Sequence, residues 1–309
     1  MTRLLCTRGK RGFFLFAFSL CSVFSAHATD GIYVKFGLDL GYAGRNGYMS
    51  GTTPHWAMFL YGAGTSGSPF NSLNISAPPG STPPQVDGNI ALAGAYSTLV
   101  MSGQATVNGD IYRQTTSSVS TSGGATITGS QFSSASINSQ LNGGVTSLKN
   151  VSNAAAALTA TSGSPTSINL GGGSNTTISN NPFGGKYVMN LSSFVMGGGS
   201  TLTLNGAAGS AFVLNISGAF NINGGSKILL TGGLTPSDVL FNVTGNNSTF
   251  TINGDSVFNG TLLAYNKSGA QRTLTISGHN TQVNGEVIAN QIVFQSGGHV
   301  THPKKKSDE

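Results

Sequence analysis

Charge and sulphur are nearly missing from this chain. Only 8% of its 309 residues are Asp, Glu, Lys or Arg, where an ordinary globular domain carries roughly 25%. The formal charge of +6 comes from the two ends. Arg3, Arg8, Lys10 and Arg11 open the sequence and Lys304, Lys305 and Lys306 nearly close it, so that 8 basic residues meet 7 acidic ones between Thr29 and Pro303. Phosphate recognition needs a clustered basic face, and this balance excludes a nucleic-acid partner. The only cysteines, Cys6 and Cys21, lie in the first 28 residues. Those residues read as a secretory signal: a basic start, the apolar run Phe13–Phe18, and Ala26-His27-Ala28 as the cleavage pattern. The run is too short to span a bilayer, and Leu20 stands where a lipidated Cys21 would need a small neighbour. With the leader removed the chain has no disulfide, and its stability must come from packing and strand ladders.

What the chain has instead is glycine, 45 residues of it, within a repeated phrase. Gly199-Ser-Thr-Leu-Thr-Leu-Asn-Gly206 returns as Ser217–Gly224, Asn247–Gly254 and Gly278–Gly285, the closing glycines 18, 30 and 31 residues apart. Earlier copies end at Gly109 and Gly129. Each copy alternates apolar and small polar residues and then breaks, usually at Asn-Gly, where a tight turn needs positive φ. One hairpin cannot bury its apolar row, but stacked coils share a core. The expected fold is therefore mainly β: a right-handed parallel β-helix with strands about 4.8 Å apart. Leu202, Leu204, Phe212, Leu214, Phe220, Ile222, Phe250, Ile252, Phe258, Leu262, Leu274, Val283, Val287 and Ile292 are its predicted core.

The expected organisation is a leader at 1–28, an N-terminal strand and glycine/aromatic-rich cap at 29–84, a solenoid at 85–303 and a charged tail at 304–309. Within 29–84, the residues from Ile32 to Leu40 alternate as an amphipathic strand. One helix interrupts the solenoid at about 137–160, where Ile137, Leu141, Val145, Leu148, Val151, Ala155 and Leu158 form an apolar stripe. It should lie along one flank, weakened in its first half by Gly143-Gly144.

The order of segments carries a resemblance. A strand group around Val86-Asp87-Gly88 precedes the Ala-rich helix, followed by Ser210–Gly218, Ser237–Val243, Phe258–Ala264 and Val283–Ala289. Over residues 68 to 303 this resembles the choice-of-anchor A domain of bacterial surface proteins, predicted adhesins described as collagen-binding-like. It is similar, more distantly, to the bacterial ice-binding-protein domain, a β-solenoid with a flanking helix. Such adhesins usually finish in a sorting motif or membrane helix, whereas this sequence finishes in Thr301–Glu309. The expectation is free secretion or non-covalent surface attachment.

Catalysis finds no motif. Asp238, Asp255, Lys227, Lys267, Arg272 and Glu286 form no recognisable pair, and His55, His279, His299 and His302 lack metal-ligand spacing. Asp110, Asp255 and Glu286 each follow a turn, but the tandem calcium repeat is missing. No cofactor and no metal are expected. The threonine pairs Thr126/Thr128, Thr201/Thr203, Thr249/Thr251 and Thr273/Thr275 flank single apolar residues. If those point inward, the threonines face out about 6.7 Å apart. Stacked in one plane they would form a weakly polar lattice able to order water or meet ice, although threonine is also ordinary on an exposed strand. The first expectation is a secreted, non-enzymatic adhesin whose partner is a matrix protein, a polysaccharide or another surface protein. The alternatives are an ice-binding protein using these threonines and a polysaccharide-active enzyme.

Overall fold

The computed structural model describes residues 56–62, 72–180, 185–245, 249–265 and 272–302. The leader, the Ile32–Leu40 segment, His55, Lys267 and the tail lie outside them.

The chain coils in turns of three strands. It begins with β1 (Trp56–Leu60), β2 (Ser72–Ser76) and β3 (Gln85–Asp87). It then adds β4 (Asn89–Leu92), β5 (Thr98–Ser102) and β6 (Thr106–Asn108). Next come β7 (Ile111–Arg113), β8 (Ser118–Thr121), β9 (Thr126–Ile127) and β10 (Gln131–Phe132). A long helix, α1 (Ala135–Ala156), follows. Coiling resumes with β11 (Ile168–Leu170), β12 (Asn175–Ser179) and β13 (Gly185–Leu191). After these come β14 (Phe194–Met196), β15 (Thr201–Asn205), β16 (Ser210–Ile216), β17 (Phe220–Ile222), β18 (Lys227–Thr231) and β19 (Val239–Val243). The last turns hold β20 (Thr249–Ile252), β21 (Val257–Asn259), β22 (Thr261–Leu263), β23 (Thr273–Ser277), β24 (Gln282–Asn284), β25 (Val287–Ala289), β26 (Gln291–Gln295) and β27 (His299–Thr301).

Every third strand stacks on the same face, giving three parallel sheets of nine strands. Sheet 1 runs β10-β7-β4-β1-β25-β22-β19-β16-β13, sheet 2 runs β11-β14-β17-β20-β23-β26-β2-β5-β8, and sheet 3 runs β12-β15-β18-β21-β24-β27-β3-β6-β9. The winding is not continuous. The first described strand lies mid-stack; the chain then climbs to the β8–β10 end and returns along α1 to the opposite end. It then coils back until β25, β26 and β27 pair with β1, β2 and β3. The helix suits that return: 22 residues span about 33 Å, close to the roughly 38 Å that nine strands occupy.

The inward rows are apolar apart from Ser210 at the start of β16 and Arg272 just ahead of β23, and all fourteen predicted core residues have no exposed surface. Sheet 1 differs from the others because its inner strands are buried on both sides, with exposure at the end strands β10 and β13. Its outer row, with Trp56, Phe59, Tyr112, Val213, Leu240 and Ile288, packs against Ile137, Leu141, Leu148, Val151 and Ala155 of α1. This corrects the expected boundary at 85. Trp56-Ala-Met-Phe-Leu60 is buried throughout, so it shows no alternation and hides its nature as a solenoid strand. The helix crosses Gly143-Gly144 unbroken, with Gly144 turned toward the sheet.

Polar groups fix α1 in place. Asn190, Asn215 and Asn242 stack on sheet 1, Asn215 Nδ2 donating to Asn190 Oδ1 (2.9 Å) and Asn242 Nδ2 to Asn215 Oδ1 (2.8 Å). The ladder also donates to the helix carbonyls of Ala155 (2.7 Å) and Ser152 (3.0 Å), while Ser152 Oγ donates to Asn242 Oδ1 (2.8 Å). Near the other end Gln114 donates to Asn142 Oδ1 (2.8 Å), and Asn138 donates to Thr115 Oγ1 while accepting from its N–H. Buried amides satisfied on both sides set the register of the helix.

Candidate functional site

With sheet 1 covered, sheets 2 and 3 are the two open faces. The corner between them is a column of tight turns with two left-handed residues in succession. Gly198/Gly199, Gly224/Gly225 and Gly254/Asp255 all have φ between 64° and 75°. In the β26–β27 corner Ser296 comes first and Gly297 second, but in these three the first residue must be glycine, because a Cβ on Gly254 would sit 2.7 Å from the Gly224 nitrogen in the neighbouring turn. The second points into open space, which is why Asp255 and Gln104 can occupy it with φ of 65° and 63°. The shared corner conformation of these turns keeps their strand ends aligned, and with them this part of the two flat faces.

The outward residues of sheet 2 are set by its register. Asn169, Val195, Asn221, Thr251, Thr275, Val293, Asn74, Val100 and Ser120 form one rank across all nine strands. Beside it Thr273, Gln291, Ser72, Thr98 and Ser118 form a second, with Thr249 at the same register position on β20. Neither rank contains a charged residue. Their side chains are tied along the face: Thr273 Oγ1 donates to Gln291 Oε1 (2.6 Å), Gln291 Nε2 to Ser72 Oγ (2.9 Å), and Thr251 Oγ1 to Asn221 Oδ1 (3.0 Å).

Sheet 3 presents Asn175, Thr201, Lys227, Val257, Gln282, His299, Gln85, Thr106 and Thr126 in one outward rank, and includes Asp87 in the next. His299 Nε2 lies 2.7 Å from Asp87 Oδ2. Burial pushes the Asp87 carboxyl up, but hydrogen bonds from Gln85, Asn108 and His299, with the charge of His299, outweigh it and hold the group below its ordinary value.

The eight predicted threonines do not share a plane. Thr249, Thr251, Thr273 and Thr275 make a block of four on sheet 2. Thr201 and Thr203 are on sheet 3, Thr126 is on sheet 3 at the far end, and Thr128 follows it, donating an N–H to Val107 in the same sheet. The expectation of a single lattice fails because the phrase occurs on both open faces: Ser217–Gly224 and Asn247–Gly254 supply strands of sheet 2, whereas Gly199–Gly206 and Gly278–Gly285 supply strands of sheet 3. Sequence reasoning also missed Ser72, Asn74, Thr98, Val100, Asn221 and Val293. Each lies in the polar half of an alternating strand, which is the signal that could have found it.

The carboxylates considered for metal or catalysis serve separate turns. Asp110 accepts from Ser130 N (2.8 Å), Asp255 from Asn280 N (2.9 Å), Asp238 from Thr235 N (2.8 Å), and Glu286 stands 3.7 Å from His302. Among the described residues no group of three or more His, Cys, Asp or Glu could hold a metal ion. Nor is any helix among them long and apolar enough to cross a membrane.

No curated protein matches the chain by sequence. Among solved structures, the chain is similar to an ice-binding protein from Arctic yeast (LeIBP), solved for the structural basis of its antifreeze activity. The two are 18% identical, with 87% of this chain and 96% of that one covered at a TM-score of 0.52. It is likewise similar to an ice binding protein from an Antarctic biological consortium, at 18% identity, coverage of 83% and 94%, and a TM-score of 0.51. At such identity these neighbours speak for the β-solenoid fold. The family model described as ice-binding-like matches residues 75–300. That match overturns the adhesin reading and falls on the more distant of the two resemblances in the sequence. By a match spanning well over half its length, the chain belongs to the ice-binding-like family.

Proposed function

We propose that this chain is an ice-binding protein that meets ice through sheet 2. The observation that carries the assignment is the absence of charge from the two outward ranks described, one crossing all nine strands and the other six. An ice surface offers hydrogen-bonding water but no counter-ion. A charged side chain facing it would give up hydration without a partner, at a cost no flat contact restores. Small hydroxyl, amide and methyl groups carry little such penalty. The in-register ladder adds preorganisation: Thr251, Thr273 and Gln291 are held by neighbours before contact, so less side-chain entropy is lost on binding. Sheet 3, with Lys227, Asp87 and His299, is the less suited face. Binding of this kind needs no catalytic group and no cofactor. The leader at residues 1–28 would deliver the protein outside the cell, where ice forms first.

Purified protein should show thermal hysteresis and shape growing ice crystals, and should inhibit recrystallisation. A fully folded sample without hysteresis or crystal shaping at high concentration contradicts the assignment.

A further inference from the structure

We infer that Arg272 is a positioning residue for the threonine block of sheet 2, an inference that rests on the ice-binding assignment above. Arg272 is 1% exposed and is among the largest fully buried side chains. It precedes Thr273 on the inward side of sheet 2 and forms no ion pair with a carboxylate among the described residues. Burial lowers its pKa, partly offset by Tyr61. Its two Nη groups donate to backbone, Nη1 to Val243 O (2.8 Å) and Tyr265 O (3.4 Å) and Nη2 to Thr244 O (3.2 Å), while the buried Nε has no hydrogen-bond partner. It also lies over the ring of Phe250, 5.7 Å from the centroid, within cation–π range.

The lengths of the connections explain why a costly buried cation sits here. In the turns that flank β20 and β23 in the stack, sheet 1 passes to sheet 2 through two residues between β13 and β14, three between β16 and β17, and one between β25 and β26. Such links fix where the next strand starts. The connections into β20 and β23 have five and nine residues, and length alone leaves those starts undetermined. The carbonyls that Arg272 holds are where the chain leaves β19 and β22 toward these connections. Its ring contact is with the residue between Thr249 and Thr251. One planar fork with several donors therefore clamps the chain on its way into both strands that carry Thr249, Thr251, Thr273 and Thr275.

The test compares the full-length secreted protein with Arg272→Met, Arg272→Lys and Phe258→Leu. Phe258→Leu is a control that disturbs the core beneath sheet 3. Two readouts are taken at the freezing point on samples whose circular dichroism is native: thermal hysteresis, and amide hydrogen exchange resolved by strand. Arg272→Met should exchange faster in β20 and β23 than in β21 and β24, and should retain less than half the native hysteresis. Arg272→Lys, softer and more certain to fold, should fall between. Phe258→Leu should lower the melting temperature yet keep native hysteresis. Native exchange in β20 and β23 of Arg272→Met overturns the inference, as does equal loss of hysteresis in Phe258→Leu. Selective exchange in Arg272→Met, with no hysteresis in the native protein, leaves the clamp standing and sinks the ice-binding assignment instead.

Discussion

Sheets 2 and 3 are assembled from the same turns around the same core, yet they face solvent with different chemistry. Their inward rows are interchangeable: Phe194, Phe220 and Phe250 under one, Leu202, Ile228 and Phe258 under the other, all without exposed surface. Outward, sheet 2 shows threonine, asparagine, serine and valine, while sheet 3 adds Lys227, Asp87 and His299. The core therefore dictates stability for both faces alike, and only the outward ranks distinguish their tasks. Sheet 1 completes the comparison. Its inner side is apolar, its outer side combines apolar residues with the asparagine ladder, and α1 covers it, leaving two candidate surfaces.

Truncating the core should produce the largest effects, without regard to face. Phe250→Ala and Phe258→Ala should each cost about 3–5 kcal/mol, measured by denaturant unfolding. A large cost on one side and none on the other would break the claim of a shared core. The next largest should come from the helix ladder. Asn242→Leu leaves the Asn215 side-chain carbonyl and the Ser152 hydroxyl without their partner, and should cost about 1–3 kcal/mol. The same change at half-buried Asn284 on sheet 3 should cost clearly less. Equal losses would mean that the ladder does not hold the helix. Outward changes on sheet 2 such as Thr275→Val should alter stability by no more than about 0.5 kcal/mol, so any loss of ice affinity there cannot be blamed on unfolding.

The smallest effect separates the faces by pH. The Asp87 carboxyl is held below its ordinary value in the folded state. The stability it contributes is thus present at neutral pH and is lost as pH falls through the acid range toward that depressed value. Native protein should melt above Asp87→Asn at neutral pH, with the gap narrowing in acid. A gap that stays constant with pH would show that the carboxylate charge is not what sheet 3 uses at its seam. Hysteresis should be indifferent to the same change, because the charge is on the other face.

The fold was largely legible because alternation is a direct imprint of one-sided burial, and Leu202, Phe220, Phe250 and Val283 point inward as that pattern requires. The helix was legible from its stripe. The first strand was not, because a strand buried on both faces has no period to read. The face proposed to meet ice was only half legible. The pairs Thr249/Thr251 and Thr273/Thr275 are neighbours on sheet 2, but two open faces share one phrase, and nothing local in Thr201 or Thr126 says which face it occupies. That information lies in turn length, with two strands between one copy and its true neighbour in the stack. Arg272 stood among charged residues without a motif, since its partners are backbone carbonyls that leave no trace in sequence.

The central claim is that sheet 2, and not sheet 3, meets ice. Thermal hysteresis of Thr275→Tyr and Thr203→Tyr, two outward and half-buried threonines on opposite open faces, tests it most directly. A ring standing off sheet 2 should hold the flat face away from ice and remove most of the hysteresis, while the same ring on sheet 3 should leave it at the native level. Loss in Thr203→Tyr with full activity in Thr275→Tyr would place ice binding on sheet 3 and contradict the account.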